Sequence, residues 1–133
     1  MINVVVTIDS KETLEKIGRL LLEKRLVACL QIIGPARSLY WWKGRLEEAE
    51  EWIGVMKTRR GLYGDVEREI RALHPYEVPQ IEAIEAISVL PAYERWLIEE
   101  TCRGRRGCCA PGLRYPRRKQ RTHGKGARAD ESG

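Results

Sequence analysis

The first regular pattern along the chain is a short apolar run, Val4-Val5-Val6-Thr7-Ile8, whose β-branched residues predict a strand. Asp9 follows as the expected start of a helix, with Glu12 three residues on in capping-box spacing. Leu14, Ile17, Leu20 and Leu21 then fall on one helical face. Lys11, Glu15, Glu23 and Lys24 lie mostly off that face, and the helix is expected to end near Arg25. A long second strand is predicted from Ala28 to about Trp42. Gly34-Pro35 interrupts it, and a proline inside a strand has no N–H for the ladder, so a bulge or bend is expected there. Lys43-Gly44, between apolar flanks, reads as a tight turn into a third strand from Leu46 to about Lys57. Leu62, Val66, Ile70 and Leu73 recur at helical spacing and predict a second helix over about 61–73. Pro75 and Pro79 end it and force an extended connection. Ile81 to Ile87 is the fourth predicted strand, and Pro91 opens a last helix containing Tyr93, Trp96, Leu97 and Ile98.

The order β-α-β-β-α-β plus a terminal helix is the split βαβ arrangement of an α+β, ferredoxin-like fold. Its unusual part is the central hairpin. Strands of more than ten residues exceed the common length of about five or six, and the two helices of a small domain cannot cover them. The far end is aromatic, with Tyr40, Trp41 and Trp42 on one strand and Trp52 on the return. Such a ribbon alone in water exposes a large apolar patch. Association through the Tyr40-Trp41-Trp42 hairpin into a cyclic oligomer removes that exposure. The other solution is for the hairpin to curl back onto its own sheet.

Composition divides the chain. The 133 residues carry 24 Lys+Arg and 19 Asp+Glu, a net charge of +5. Residues 1–102 hold 14 Lys+Arg and 17 Asp+Glu, a net of −3, and residues 103–133 hold 10 and 2, a net of +8. The mean basicity therefore describes neither part, and it does not license a nucleic-acid reading of the body. Residues 103–133 include six of the twelve Gly and a single residue of the Leu/Ile/Val kind, Leu113, so they are expected to form a disordered basic tail beside a domain over 1–102. No apolar run reaches the roughly 20 residues of a membrane span, and no signal peptide opens the chain, which makes the cytoplasm the expected compartment.

Several segments together carry a family resemblance. They are Ala28-Cys29-Leu30-Gln31-Ile32-Ile33, Ser38-Leu39-Tyr40-Trp41-Trp42-Lys43-Gly44, Met56-Lys57-Thr58 and His74-Pro75-Tyr76-Glu77-Val78-Pro79-Gln80-Ile81, with Tyr93 and Trp96 in the last helix. This body, over about residues 2–101, closely resembles the CutA family of divalent-cation tolerance proteins. The resemblance implies a tight homotrimer similar in architecture to the PII signalling proteins. It also implies a cytosolic role in tolerance of divalent metals, copper in particular. It implies no enzymatic reaction and no obligatory cofactor; the expected ligand is Cu2+ or another divalent cation, weakly held.

Each candidate residue has a functional and a structural reading. Cys29, in a predicted strand, is a soft ligand or reactive thiol on one reading and a small buried hydrophobe on the other. His74, the only His of the body, is a candidate copper ligand or a hydrogen-bonded joint at a helix end. Some family members carry a second His before this proline and a Cys at the end of the first strand; here those positions hold Leu73 and Thr7. Tyr76 and Glu77, fixed between prolines, stand with Lys57 near the inter-subunit cleft that the family pattern implies. There they either bind a small anionic or metal-chelated ligand, or Lys57 and Glu77 form an ion pair that holds the assembly. Glu47, Glu48, Glu50 and Glu51 cannot all share one face of a strand, and they read as a solvated ribbon edge or a hard-cation site.

The tail offers Cys102, Cys108, Cys109 and His123 without zinc spacing, and a basic run from Arg117 to Arg121. With no RNA-recognition motif in the body, nucleic acid is not an expected partner except weakly through this tail. No serine triad, phosphate loop or paired zinc histidines appear, which agrees with a binding protein rather than an enzyme. The alternative reading is a PII-like signalling protein that takes a small anionic ligand between subunits.

Overall fold

A computed structural model describes residues 1–102; the tail expectations, from Cys108 and Cys109 to His123 and the basic run, fall outside them. The elements are β1 (Ile2–Ile8), α1 (Lys11–Glu23), β2 (Cys29–Trp42), β3 (Arg45–Thr58), a 3-10 turn (Arg60–Leu62), α2 (Tyr63–Leu73), β4 (Ile81–Glu85) and α3 (Pro91–Cys102). The four strands form one antiparallel sheet in the order β2-β3-β1-β4. This is the α+β, ferredoxin-like topology expected from the pattern.

Alternation in β1 sets the two faces of the sheet. Ile2, Val4, Val6 and Ile8 are buried, and the residues between them are only partly covered. The buried set packs against Leu14, Ile17 and Leu21 of α1, Val66 and Ile70 of α2, and Met56 of β3. Gly54 allows α1 to approach this closely, because a Cβ there would stand 2.8 Å from Leu14 Cδ1 and 3.1 Å from Val6 Cγ1. On the other face lie Asn3, Val5 and Thr7 of β1, opposite Lys57, Val55 and Ile53 of β3. At the base, α3 is fastened by Arg59 Nε donating to Thr101 Oγ1 at 2.9 Å and by an Arg25–Glu100 ion pair at 2.8 Å.

Three boundaries and one expected core position differ from the sequence expectation. The N-cap of α1 is Ser10, not Asp9: its backbone is extended, and its short hydroxyl reaches the Thr13 amide at 3.2 Å. Glu12 then sits in the first turn, where the helix dipole favours a negative charge. The 3-10 turn precedes α2, and Leu73 leaves the buried stripe because the inward position one turn beyond Ile70 is taken by the ring of His74. Strand β4 ends at Glu85 rather than Ile87, since its partner β1 begins at Ile2, directly opposite Glu85. One further bond, from Ala86 N–H to Met1 O, closes the ladder and leaves Ile87 fully in solvent.

The hairpin reaches its expected length. The ladder slips between Ile33 and Ala36, where Gly34-Pro35 sits. The turn at Lys43 and Gly44 has φ of 49° and 76°, the two positive values of a tight hairpin turn, which glycine adopts without steric cost. Beyond the slip the two sides of the ribbon differ. Ala36, Ser38, Glu47, Ala49 and Glu51 are covered in part or in full, whereas Arg37, Leu39, Trp41, Leu46, Glu48 and Glu50 are exposed.

Candidate ligand-binding cleft

The covered side of the distal hairpin faces the proline-bounded loop of residues 74–80, and between them lies a cleft of about 830 Å³. Tyr40 and Trp42 contribute from the hairpin, Tyr76 and Glu77 from the loop, Thr7 from the end of β1, and Glu51 from β3. The hairpin and the loop meet here through the Tyr76–Glu51 hydrogen bond, while Leu39, Trp41 and Leu46 farther along the hairpin are exposed.

Glu51 is the most unusual residue here. It is only 6% exposed, and its Oε2 accepts a hydrogen bond from Tyr76 Oη at 3.1 Å. Among the described residues no Lys, Arg or His lies within ion-pair distance of it. Burial, reinforced by that hydrogen bond and by the nearby negative charge of Glu51, pushes the Tyr76 phenol well above its ordinary range. Tyr76 therefore stays protonated and remains the donor to Glu51 throughout the neutral range.

His74 builds the loop. Its Nε2 lies 2.8 Å from the carbonyl oxygen of Thr7, which can only accept, so Nε2 carries the proton. Nδ1 is then free to accept from the Tyr76 backbone N–H at 3.2 Å. The ring also meets Tyr76 edge-on, with centroids 4.7 Å apart. Both nitrogens are thus used to tie the loop to β1, and a metal at His74 would have to displace one of these bonds. Among the described residues no group of three or more His, Cys, Asp or Glu side chains stands close enough to hold an ion.

The remaining candidate residues separate into two places. Tyr76 and Glu77 line the cleft. Lys57 and Cys29 are cross-strand neighbours at the opposite end of the sheet. Within the chain Lys57 does not pair with Glu77; its ammonium donates to Asn3 Oδ1 at 2.8 Å, and among the described residues Lys43 is the cation in ion-pair distance of Glu77, at 3.9 Å. Cys29 is a free thiol, partly covered. The four glutamates divide as strand alternation requires. Glu47 and Glu51 face the covered side and Glu48 and Glu50 the exposed side, where Glu48 pairs with Arg37. Sequence reasoning had no ligand role for Tyr40 or Thr7, and offered Glu51 one only as a member of the four-glutamate run. The alternation within the glutamate run was the one signal that could have set Glu51 apart.

The comparisons with known proteins agree with this architecture. Residues 2–100 match the family model of the CutA1 divalent ion tolerance protein. The chain belongs to this family. It is 42% identical over 101 residues to the divalent-cation tolerance protein CutA of Pyrococcus horikoshii, covering 76% of this chain and 98% of the relative. It is likewise 42% identical over 99 residues to that of Thermotoga maritima, covering 74% and 97%. Among solved structures, CutA1 of Pyrococcus horikoshii superposes with a TM-score of 0.71 at 40% identity, covering 75% of this chain and 97% of that one. The Archaeoglobus fulgidus protein, named a periplasmic divalent cation tolerance protein CutA, superposes with a TM-score of 0.73 at 37% identity, covering 76% and 99%. These CutA relatives are named for ion tolerance rather than for a reaction. Among the described residues no helix is long and apolar enough to cross a membrane.

Proposed function

We propose that this CutA protein acts in the cytoplasm as a homotrimeric binding protein for tolerance of divalent metals, copper in particular. It would capture metal or a metal-bound ligand at clefts between subunits. The observation that carries the assembly is the exposed apolar side of the hairpin, where Leu39, Trp41 and Leu46 are 61%, 73% and 62% exposed. Apolar patches of this kind mark contact surfaces, and a cyclic arrangement covers the same patch on every copy. Ile33 and Ile84, on the sheet face opposite the helices, add to the surface that a neighbour would cover. The metal role is supported by the names of the relatives and by two donor types, the free thiol of Cys29 and the imidazole of His74. Because both ring nitrogens of His74 are already bonded, copper held there would bind weakly.

Native mass spectrometry of freshly purified protein tests both parts together. Three copies with substoichiometric copper are expected. A monomer at micromolar concentration would remove the assembly. Unchanged Cu(II) affinity in both His74→Ala and Cys29→Ser would remove the metal site.

One observation favours a second reading, a PII-like sensor of small anions. Lys57 is half-buried, and its ammonium has a neutral amide as its hydrogen-bond partner, with no carboxylate in ion-pair distance among the described residues. Such a cation could take a carboxylate or phosphate delivered between subunits. Loss of anion binding in Lys57→Gln, with copper binding retained, would select this reading.

A further inference from the structure

The base of the fold carries a chemistry that neither reading uses. Cys102, the last residue of α3, is 2% exposed and disulfide-bonded. The chain has four cysteines. Cys29 is a free thiol, which leaves Cys108 and Cys109 as the candidate partners, both beyond the described residues. Whichever of the two pairs with Cys102, the other remains as a thiol adjacent in sequence to the bond. Thiol and disulfide side by side are the reactants of exchange.

The last turn of α3 is fixed without this bond. Arg59 Nε donates to Thr101 Oγ1 at 2.9 Å, Thr101 Oγ1 donates to the Leu97 carbonyl oxygen at 2.9 Å, and Arg25 pairs with Glu100 at 2.8 Å. The apolar core gathers β1, β3, α1 and α2 and draws nothing from residues beyond 102. The ring that the bond closes is also short, with five or six residues between Cys102 and its partner. A disulfide constrains the unfolded chain less as its loop shortens, so this one lies at the low end of what such a bridge contributes to stability. It can open and close while the domain stays folded.

The sequence around the bond favours exchange. Arg103, Arg105 and Arg106 lie between the cysteines, and neighbouring cations favour the thiolate, the form that reacts. We propose that Cys102 and one of Cys108 and Cys109 form a reversible switch, worked by small thiols of the glutathione class, that fastens the basic C-terminal segment to the base of the fold when oxidised and releases it when reduced. Cys102 is closed to solvent, so an incoming thiolate attacks the sulfur of its partner. The bond between the two cysteines breaks, and the Cys102 sulfur leaves as a thiolate and takes a proton. A second small thiolate then displaces the first, giving the partner thiol and the disulfide of the two small thiols. The protein gains two electrons and two protons, and the small thiols supply them. Oxidation by the small disulfide runs the same steps in reverse. The switch is independent of the copper and anion readings, which rest on His74, Cys29 and Lys57.

Thiol counting by intact mass tests it on the full chain in its native assembly. The protein is equilibrated in glutathione buffers of varied ratio, quenched with acid, and labelled with N-ethylmaleimide in denaturant. In oxidised glutathione two labels are expected, one of them on Cys29, and in reduced glutathione all four cysteines should label. Return to the oxidising buffer should restore two. The double variant Cys108→Ser with Cys109→Ser leaves residues 1–102 unaltered, and its two remaining cysteines should label in either buffer. Tryptic cleavage after Arg103, Arg105 and Arg106 should slow several-fold on oxidation of the native chain and recover on reduction, because a closed ring resists the extended form a protease needs. In the double variant the cleavage should not respond to the buffer. The proposal is overturned if two labels persist in the most reducing buffer, which would make the bond a fixed brace, or if four are found in both. It is equally overturned by a Cys102 cross-link that survives in the double variant, or by equal cleavage rates in the two buffers.

Discussion

Strands β2 and β3 pass through two different environments along one hairpin. Near the base, β3 alternates between buried and partly covered residues, with Gly54, Met56 and Thr58 closed off beneath the helices. Past the Gly34-Pro35 slip, most residues of the same two strands are exposed. The local sequence is strand-forming in both halves. What differs is whether side chains leave water, so the base holds the fold together and the distal half is the part on which the proposed association rests. A ladder of backbone hydrogen bonds suffices to keep the distal strands paired, while the stability of the domain comes from the apolar contacts of the base.

The largest effect that tests this contrast is expected in the base. Ile70→Ala removes a fully buried side chain and should destabilise the subunit by about 2–5 kcal/mol, read from urea unfolding. A change below about 1 kcal/mol would show that the base is not the stabilising half. On the distal half, Trp41→Ala should leave the fold intact and weaken association. Burial of a large apolar side chain is worth about 1.5–3 kcal/mol, so a loss of roughly 10- to 100-fold in sedimentation experiments is expected. If Trp41→Ala instead unfolds the subunit and leaves association unchanged, the division between the halves fails.

Between the two halves lies the His74 joint. His74→Ala leaves the Thr7 carbonyl and the Tyr76 amide without their partner and should cost about 1–3 kcal/mol in thermal unfolding. His74→Gln, able to donate at one end, should recover part of it.

Tyr76 adds a pH signature. Its phenol is raised in the folded state, so the folded protein keeps that proton above pH 10 while the unfolded chain loses it. The unfolded state then binds fewer protons, and stability falls as pH rises. The contribution is complete below about pH 10, the ordinary tyrosine value, and is lost progressively above it. Comparison of the wild-type protein with Tyr76→Phe isolates the effect: the difference in melting temperature should shrink as pH climbs beyond 10. A constant difference across that range would mean that Tyr76 titrates normally. The smallest effect is expected for Arg37→Ala on the exposed side of the ribbon. Its pair with Glu48 is in water, and such pairs contribute about 0–1 kcal/mol, so stability should hardly move.

Much of the architecture was legible because periodicity reports burial directly. Leu14, Ile17 and Leu21 marked the inner side of α1, and Gly34-Pro35 and Lys43-Gly44 marked the slip and the turn. The errors fell at element ends, where a single hydrogen bond decides. Ser10 outcompetes Asp9 as a cap because its hydroxyl reaches the Thr13 amide. Strand β4 stops at Glu85, the partner of Ile2 at the start of β1. The candidate site was legible only in part. Tyr76 and Glu77 were marked by their flanking prolines; Lys57 and Cys29 stand at the far end of the sheet of the same chain, and the expectation that grouped them with the loop concerned a cleft between subunits.

The sequence by itself determined the order of elements, the family and the acidic balance of residues 1–102, because these follow from local pattern, motif and composition. The tertiary structure decided the state of individual polar groups. That His74 is bonded at both nitrogens, that Glu51 is buried and Glu48 is not, and that Lys57 meets Asn3 rather than Glu77 all depend on residues distant in the chain. Charge and hydrogen bonding act over a few ångströms, and only the folded chain sets which groups come that close.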